Sequence, residues 1–526
     1  MTTKDIIEQG KAYLGIEFGS TRIKACLVDE NLVPVAGGSH SWENKLENGV
    51  WTYSREDIIN GLQDCYADLR KDVADKFGVE LTTFSGMGIS AMMHGYLAFD
   101  KNDELLLPFR TWRNTITGEA AAELTQLFGF NIPERWSIAH LYQAILNGEP
   151  HVKDIAHINT LAGFVHFLLT GERELGIGDA SGMFPVRDGG YDKDMLAKFR
   201  ALDKVKAFGW DIADILPAVH SAAEGSTAKL TEAGAKLLDP SGSLKAGVPF
   251  CPPEGDAGTG MAATNAVREG TGNVSAGTSI FSMIVLEKPM KGHYPQIDVV
   301  TTPDGADVAM VHCNNCCGEL DKWVNMFIEF SKLAGNPVDV STAYEVLYKN
   351  ALNGAPDCGG VVSYNTISGE PVVGLANGKP AYYRQPDSAM SMADFFRAEL
   401  YGAMAALKAG NDILFEKEGV QPKSITGHGG LFKVKGVAQQ MLADALNSDV
   451  SVMSTAGEGG AWGMALLAAF GIEKQGETLA DWLEKRAFAG MEKSTLSPDA
   501  AGNAGWKKYM ENYSAGLAGA KAFGEI

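Results

Sequence analysis

Apolar and polar positions alternate over Arg22 to Val28, with Ile23, Ala25 and Leu27 on one face, and this period predicts a strand. Tyr13 to Phe18 reads as a strand just before it, with Gly19-Ser20-Thr21 as the turn. The chain therefore opens on a hairpin rather than on a strand feeding a helix. Helical spacing follows over Ser54 to Phe77, then a strand over Ser85 to Ser90 that runs into Ala91-Met92-Met93-His94-Gly95, a loop placed to carry function. From Thr115 to Leu169 the apolar period is that of helices, clearest over Gly163 to Thr170. Pro and Gly crowd Gly247 to Gly260 and mark a candidate domain boundary. Beyond it, Gly272 to Ala276 and Ser279 to Leu286 repeat the hairpin plan around Gly277-Thr278, which points to an internal duplication. Met392 to Leu414 reads as a long amphipathic helix, Ser424 to Gly430 as a strand ending in a glycine turn, and Gly436 to Leu446 as a helix. The charged tail from Glu473 is mostly helical in pattern.

At 526 residues the chain is too long for one ordinary core, so two large domains are expected. Apolar runs such as Ala461 to Ile472 fall short of the roughly 20 residues that cross a bilayer. Met1 to Gly10 is polar and charged, unlike a secretory leader. A soluble cytoplasmic protein is the expectation. Lys plus Arg is 45 against 65 for Asp plus Glu, and the net charge of -20 argues against a nucleic-acid or anionic-membrane partner. An anionic ligand must then be held locally. Seven cysteines, an odd number, do not suggest a disulfide framework, and reduced thiols fit the cytoplasm.

Three clusters could carry chemistry. Gly15-Ile16-Glu17-Phe18-Gly19-Ser20-Thr21 sets a carboxylate at a strand end beside small residues whose N–H groups can face an anion, and a carboxylate there can hold hydrated Mg²⁺. A plain hairpin with a solvated Glu would read the same way. Gly277-Thr278-Ser279 offers a second such turn. In Glu254-Gly255-Asp256-Ala257-Gly258-Thr259-Gly260 an Asp sits among glycines, exposed as a general base must be, although an Asp before small residues is also a common helix N-cap. Two other patterns are weaker. Gly258-Thr259-Gly260-Met261-Ala262-Ala263 matches a dinucleotide fingerprint, but Pro252-Pro253 precedes it and Val274 to Gly277 follows where an acid should stand. Cys313, Cys316 and Cys317 near His312 lack the second ligand pair that a closed zinc site needs, and buried thiols are the preferred reading.

Taken in order along the chain, these residues resemble the FGGY carbohydrate kinases, of the actin, hexokinase and Hsp70 superfamily, over most of Tyr13 to Gly471. Gly15 to Thr21 resembles the family's phosphate-1 hairpin and Ser275 to Ser279 its phosphate-2 turn. Gly88-Ile89-Ser90-Ala91-Met92-Met93-His94-Gly95 is similar to the sugar loop of xylulokinases. Trp112-Arg113-Asn114 resembles a stretch lining the sugar pocket, Gly178-Asp179-Ala180-Ser181-Gly182 a loop near the cleft, and Gly255-Asp256 the pair that holds the catalytic base. Arg397-Ala398-Glu399 with Gly402 is similar to the signature helix, and Gly427-His428-Gly429-Gly430 followed by Gln440 to Asp444 resembles the adenosine motif. Glu17 and Asn114 stand where the family usually has Asp, and the loop Leu431 to Val437 is longer than in xylulokinases.

The resemblance implies an α/β fold of two actin-like (RNase H-like) ATPase domains with an interdomain cleft. Residues 12–262 would be the N-terminal FGGY domain, 263–475 the C-terminal one and 476–526 a helical extension. It implies ATP and Mg²⁺ as cofactors and a small sugar as partner. Asp256 would be the catalytic base, and Met93, His94, Trp112, Asn114 and Asp256 would bind the sugar. Gly19, Ser20, Thr21, Lys24, Gly277, Thr278, Ser279, Gly429 and Gly430 would bind ATP, and Glu17 with Asp256 the metal. The implied reaction is phosphorylation of a keto sugar at a primary hydroxyl, a ketopentose such as D-xylulose first, with L-ribulose, another ketose or a polyol as alternatives. A sugar-independent ATPase of the same superfamily is the rival of another class, and a dehydrogenase rests on the fingerprint alone. The oligomeric state stays open, a homodimer being one candidate.

Overall fold

The computed structural model describes residues 1–453 and 459–526. The chain forms two compact units: Met1–Val267 with Val299–Val308 and Glu458–Gly490, and Arg268–Asp298 with Ala309–Gly457 and Met491–Ile526.

In the first unit β1 (Tyr13–Phe18), β2 (Arg22–Val28), β3 (Pro34–Ser41), β4 (Gly86–Ala91) and β5 (Glu254–Gly255) form one sheet in the order β3-β2-β1-β4-β5. β1 pairs antiparallel with β2 and parallel with β4, and β5 runs parallel to β4. Register assigns the faces. Ile16, Ala25 and Gly38 stand abreast, and a side chain at Gly38 would collide with Cys65 and Leu69 of the Arg55–Phe77 helix. Gly15 belongs to the opposite face, where a side chain would collide with Ala461 of the Gly459–Glu473 helix. The sheet is thus covered on both sides, which is why Leu14, Ile16 and Phe18 as well as Tyr13 are buried. The Arg55–Phe77 helix starts from a capping box between Ser54 and Asp57 and ends at left-handed Gly78. The Gly459–Glu473 helix is apolar all round and accordingly buried from Gly460 to Phe470.

The second unit repeats this plan. β6 (Thr271–Ala276), β7 (Ile280–Val285), β8 (Asp307–Cys313), β9 (Ser424–His428), β10 (Asp449–Met453) and β11 (Lys493–Leu496) stand in the order β8-β7-β6-β9-β10-β11. β6 is antiparallel to β7 and parallel to β9, and β9 is parallel to β10, so the first five strands copy the first sheet. The Met392–Ile413 helix lies almost wholly inside the core. Arg397 and Glu399 are therefore core groups, the guanidinium donating to the Leu352 and Gly354 carbonyls. Trp506 of the last helix, Ala500–Glu525, stacks on Tyr401 with ring centroids 3.7 Å apart and donates to the Met441 carbonyl.

Compactness divides the chain differently from a linear split at 262/263 and 475/476. The Gly459–Glu473 helix packs on β1, β2 and β4 of the first unit, because only there is a fully apolar helix covered. The tail beyond it is shared: Leu479–Trp482 stays with the first unit, whereas β11 extends the second sheet and the Ala500–Glu525 helix packs beside Val437–Leu446. The Pro- and Gly-rich run at 247–260 is interior to the first unit, where it forms β5 and opens the Asp256–Ala263 helix.

Candidate active site

Glu17, Lys24 and Ser90 face one another across β1, β2 and β4, since Glu17 is the register partner of both others. They lie on the face covered by the Gly459–Glu473 helix, whose first residues come close to the Glu17 carboxylate. The Asp256–Ala263 helix crosses the same helix closely: a side chain at Gly463 would collide with the Thr259 carbonyl, and one at Gly460 with Glu17 and Thr259. Thr259 closes the group with a 2.9 Å hydroxyl contact to Ser90. Gly255 is the N-cap and Asp256 the first helical residue, so the carboxylate is not the cap acceptor. It accepts instead from Met93 N at 3.2 Å, which joins the base candidate to the Met93-His94 loop. His94 has a left-handed backbone, φ 68°, and its Nδ1 lies 3.0 Å from the Gly182 carbonyl. A carbonyl only accepts, so Nδ1 carries the proton.

The acids here sit in a strained electrostatic setting. Burial pushes Asp256 up to about 6, against the N–H groups of Met93 and Ala257. Burial and then the Asp256 charge raise Glu17 to about 7, with Lys24 and the N–H groups of Ala461 and Gly460 pulling the other way. Asp179 reaches about 7 by burial and the Asp256 charge, opposed by Thr160, and Glu254 about 8 by burial and Asp179. Glu17 and Asp256 are hard oxygen donors that repel one another, the situation a small divalent cation relieves, so the donor set fits Mg²⁺.

The hairpin turn is tied back through its carbonyls. Trp42 Nε1 donates to Gly19 O at 2.7 Å, Tyr53 OH to Ser20 O at 2.6 Å and Trp42 N to Thr21 O at 3.2 Å, with the two rings stacked. In the second unit Gly277 N donates to Ser279 O at 2.9 Å, and a side chain at Gly277 or Gly430 would meet nothing within 4 Å. Thr278 lies at the tip of that turn. Gly429 has φ 101° and lies against the Ala276 backbone, where any side chain would collide. Only glycine serves there.

The other residues singled out in the sequence have defined surroundings in the structure. Asn114 engages its amide with the chain: Oδ1 accepts from Trp51 N at 2.8 Å, and Nδ2 donates to the Trp51 and Thr111 carbonyls, both at 2.9 Å. It is a buried clasp on the chain at Trp51, and the same stretch places the Arg113 guanidinium 3.9 Å from the Trp51 ring. Trp112 is half-buried beside the first core. Gly258 and Gly260 of the dinucleotide-like pattern lie inside the Asp256–Ala263 helix, so no glycine loop precedes a helix there. Cys313 and Cys316 lie in the second core, and the Cys316 and Cys317 sulfurs are 3.7 Å apart. Glu254, Ser90, Thr259 and Gly460 were not singled out from the sequence. A readable trace existed for Glu254, an acid two residues before Asp256, but none for Gly460, whose role depends on a chain return of more than 400 residues.

The paired sheets, with the same five-strand order in each unit, define an actin-like ATPase fold. The chain matches the N-terminal domain of the FGGY family of carbohydrate kinases over residues 12–260 and its C-terminal domain over residues 272–472. It belongs to that family and is a sugar kinase. Among curated proteins it is similar to the xylulose kinase of Haemophilus influenzae, 24% identical over 450 residues, covering 83% of this chain and 86% of that one. Among solved structures it resembles a ligand-bound xylulose kinase from Lactobacillus acidophilus, with a TM-score of 0.78, 16% identity, and 98% and 100% of the two chains covered. A gluconate kinase from the same organism superimposes with a TM-score of 0.77 at 16% identity over 98% and 99%. Likeness of fold therefore does not choose the sugar. No helix among the described residues is long and apolar enough to cross a membrane.

Proposed function

We propose that the protein transfers the γ-phosphoryl group of ATP to a primary hydroxyl of a keto sugar in the cytoplasm, with D-xylulose the first candidate and L-ribulose, another ketose or a polyol next. The observation that carries this reading is the Asp256 carboxylate tied at 3.2 Å to the N–H of Met93 in the Met-His-Gly loop. A base and a hydroxyl-reading loop are thereby fixed to each other before substrate arrives. The name of the Haemophilus influenzae relative supports the choice of pentose.

In this mechanism Asp256 accepts the proton of the attacking hydroxyl, and the bond from Met93 fixes the direction of its carboxylate. Its pKa of about 6 leaves it ionised at neutral pH yet basic enough to take a proton in the transition state. His94, oriented by Gly182, and Met93 line the sugar, while Asn114 and Trp112 shape the surrounding wall. Glu17 and Asp256 would hold Mg²⁺, which when bound would supply neutralisation of phosphate charge. Ser20 and Thr21, their carbonyls engaged behind them, would turn N–H groups to one phosphate, with Lys24 close by, while Gly19, whose own N–H donates to the Arg22 carbonyl at 3.0 Å, would close the turn beneath that phosphate. Thr278 and Ser279 would do the same for another, Gly277 would leave room for its approach, and Gly429 and Gly430 would let the backbone approach adenosine.

The test is ADP release with Mg²⁺-ATP across ketopentoses, ketohexoses and polyols, with a no-sugar control. Strong stimulation by one sugar identifies the substrate. Release indifferent to every sugar overturns the reading in favour of an ATPase.

A further inference from the structure

Glu254 is a carboxyl group in a place where burying a charge is costly. It is 2% exposed, on β5, two residues before Asp256. Its two oxygens accept from the first N–H groups of a neighbouring short helix, Ile177–Ser181: Gly178 N at 3.2 Å and Asp179 N at 2.9 Å. Side chains at Gly176 or Gly178 would collide with the same carboxylate, so this segment lies directly on it. Gly176 N also donates to Pro253 O at 2.7 Å, which fastens the same two segments a second time. From the other side Thr160 Oγ1 donates to Asp179 Oδ2 at 2.6 Å. The Ile177–Ser181 helix then leads straight into Gly182, whose N–H donates to Asp179 O at 3.0 Å and whose carbonyl receives His94 Nδ1. Gly255, between Glu254 and Asp256, packs against the Met93 side chain.

One side chain thus joins the backbone that carries the base to the backbone that aims the histidine. We infer that Glu254 is a positioning residue that sets the placement of His94 relative to Asp256, and so the fit of the sugar hydroxyl between them. This rests on the kinase reading above. A group that only filled space would be apolar. A carboxyl group fits here because its two oxygens meet two adjacent backbone N–H groups whose fixed spacing defines both distance and orientation.

The test compares Glu254→Gln, which keeps one acceptor oxygen, with Glu254→Met, which keeps neither, per folded molecule as counted by ADP binding. The expected result is a rise in sugar KM with a fall in kcat, lowering kcat/KM by about tenfold for Gln and about 100-fold for Met, with the ADP Kd within about twofold. A kcat/KM within about threefold of the parent in both variants overturns the inference and leaves Glu254 a structural group. If neither variant folds, Thr160→Val loosens the same helix from its other side and should show the same pattern more weakly; an unchanged sugar KM overturns it. Should the parent show no sugar-stimulated ADP release, the kinase reading fails separately. The imidazole nitrogen resonances of His94 then decide: a shift in Glu254→Gln supports the placement role, and none overturns it.

Discussion

The two units share a strand order and differ in what their equivalent strands carry. In the first, Glu17 of β1 stands beside Ser90 of β4, and Asp256 follows β5. In the second, the residue at the same place on the hairpin strand is Ser275, and its neighbour on the parallel strand is His428. Burial holds that imidazole down at about 4, so it is neutral at working pH. A duplicated scaffold has thus kept acids in one copy and uncharged groups in the other. Phosphoryl transfer needs such asymmetry, since a base and metal ligands are required once, whereas backbone donors for phosphates serve from either copy.

That asymmetry can be broken most sharply at Asp256. Asp256→Ala should lower sugar-dependent ADP formation by about 10²- to 10⁴-fold with ADP affinity nearly unchanged, whereas His428→Gln should stay within about threefold. Equal losses would end the contrast between the copies. Glu17→Gln should cost about ten- to 100-fold in kcat and raise the Mg²⁺ concentration needed for half-maximal rate. Gly429→Ala should destabilise the protein by about 2–3 kcal/mol in urea denaturation, against less than about 0.5 kcal/mol for Gly277→Ala, because only the first collides with backbone.

The smallest effect is on pH dependence. Glu17, Asp179 and Glu254 keep protons in the folded chain up to about 7, 7 and 8, whereas unfolded carboxyls release them near 4. The folded state therefore binds more protons in this range, and stability should fall as pH rises from 6.5 to 8. Glu370 and Glu399 of the second unit, raised to about 7 and 8, add to the same slope. Asp179→Asn should remove one share of it, read as the change in melting temperature between those pH values.

Local pattern made much of the scaffold legible. The hairpin strands Tyr13–Phe18 and Arg22–Val28 follow from alternation, and the second hairpin revealed the duplication before any pairing was known. The Arg55–Phe77 helix was legible from its apolar spacing. β5 is two residues long and follows two prolines, so no periodicity could reveal it. Asn114 read as a pocket residue through the resemblance of Trp112-Arg113-Asn114 to the family stretch, and its bonds to Trp51, 63 residues back in the chain, were not legible from spacing. Glu254 is visible as an acid two residues before Asp256, but its partner Asp179 lies 75 residues away and spacing does not reveal that bond.

The return of the Gly459–Glu473 helix to the first sheet has a consequence for synthesis. Glu17 leaves the ribosome early, yet the Gly460 and Ala461 N–H groups that face it are made some 440 residues later, roughly 20 to 90 s at ordinary elongation rates. Until then the strand bearing Glu17 lacks its cover, and the sheet face that carries Gly15, Glu17, Lys24 and Ser90 stands open. A product that stops before Gly460 lacks the N–H groups that face Glu17, and with them the completed acid cluster.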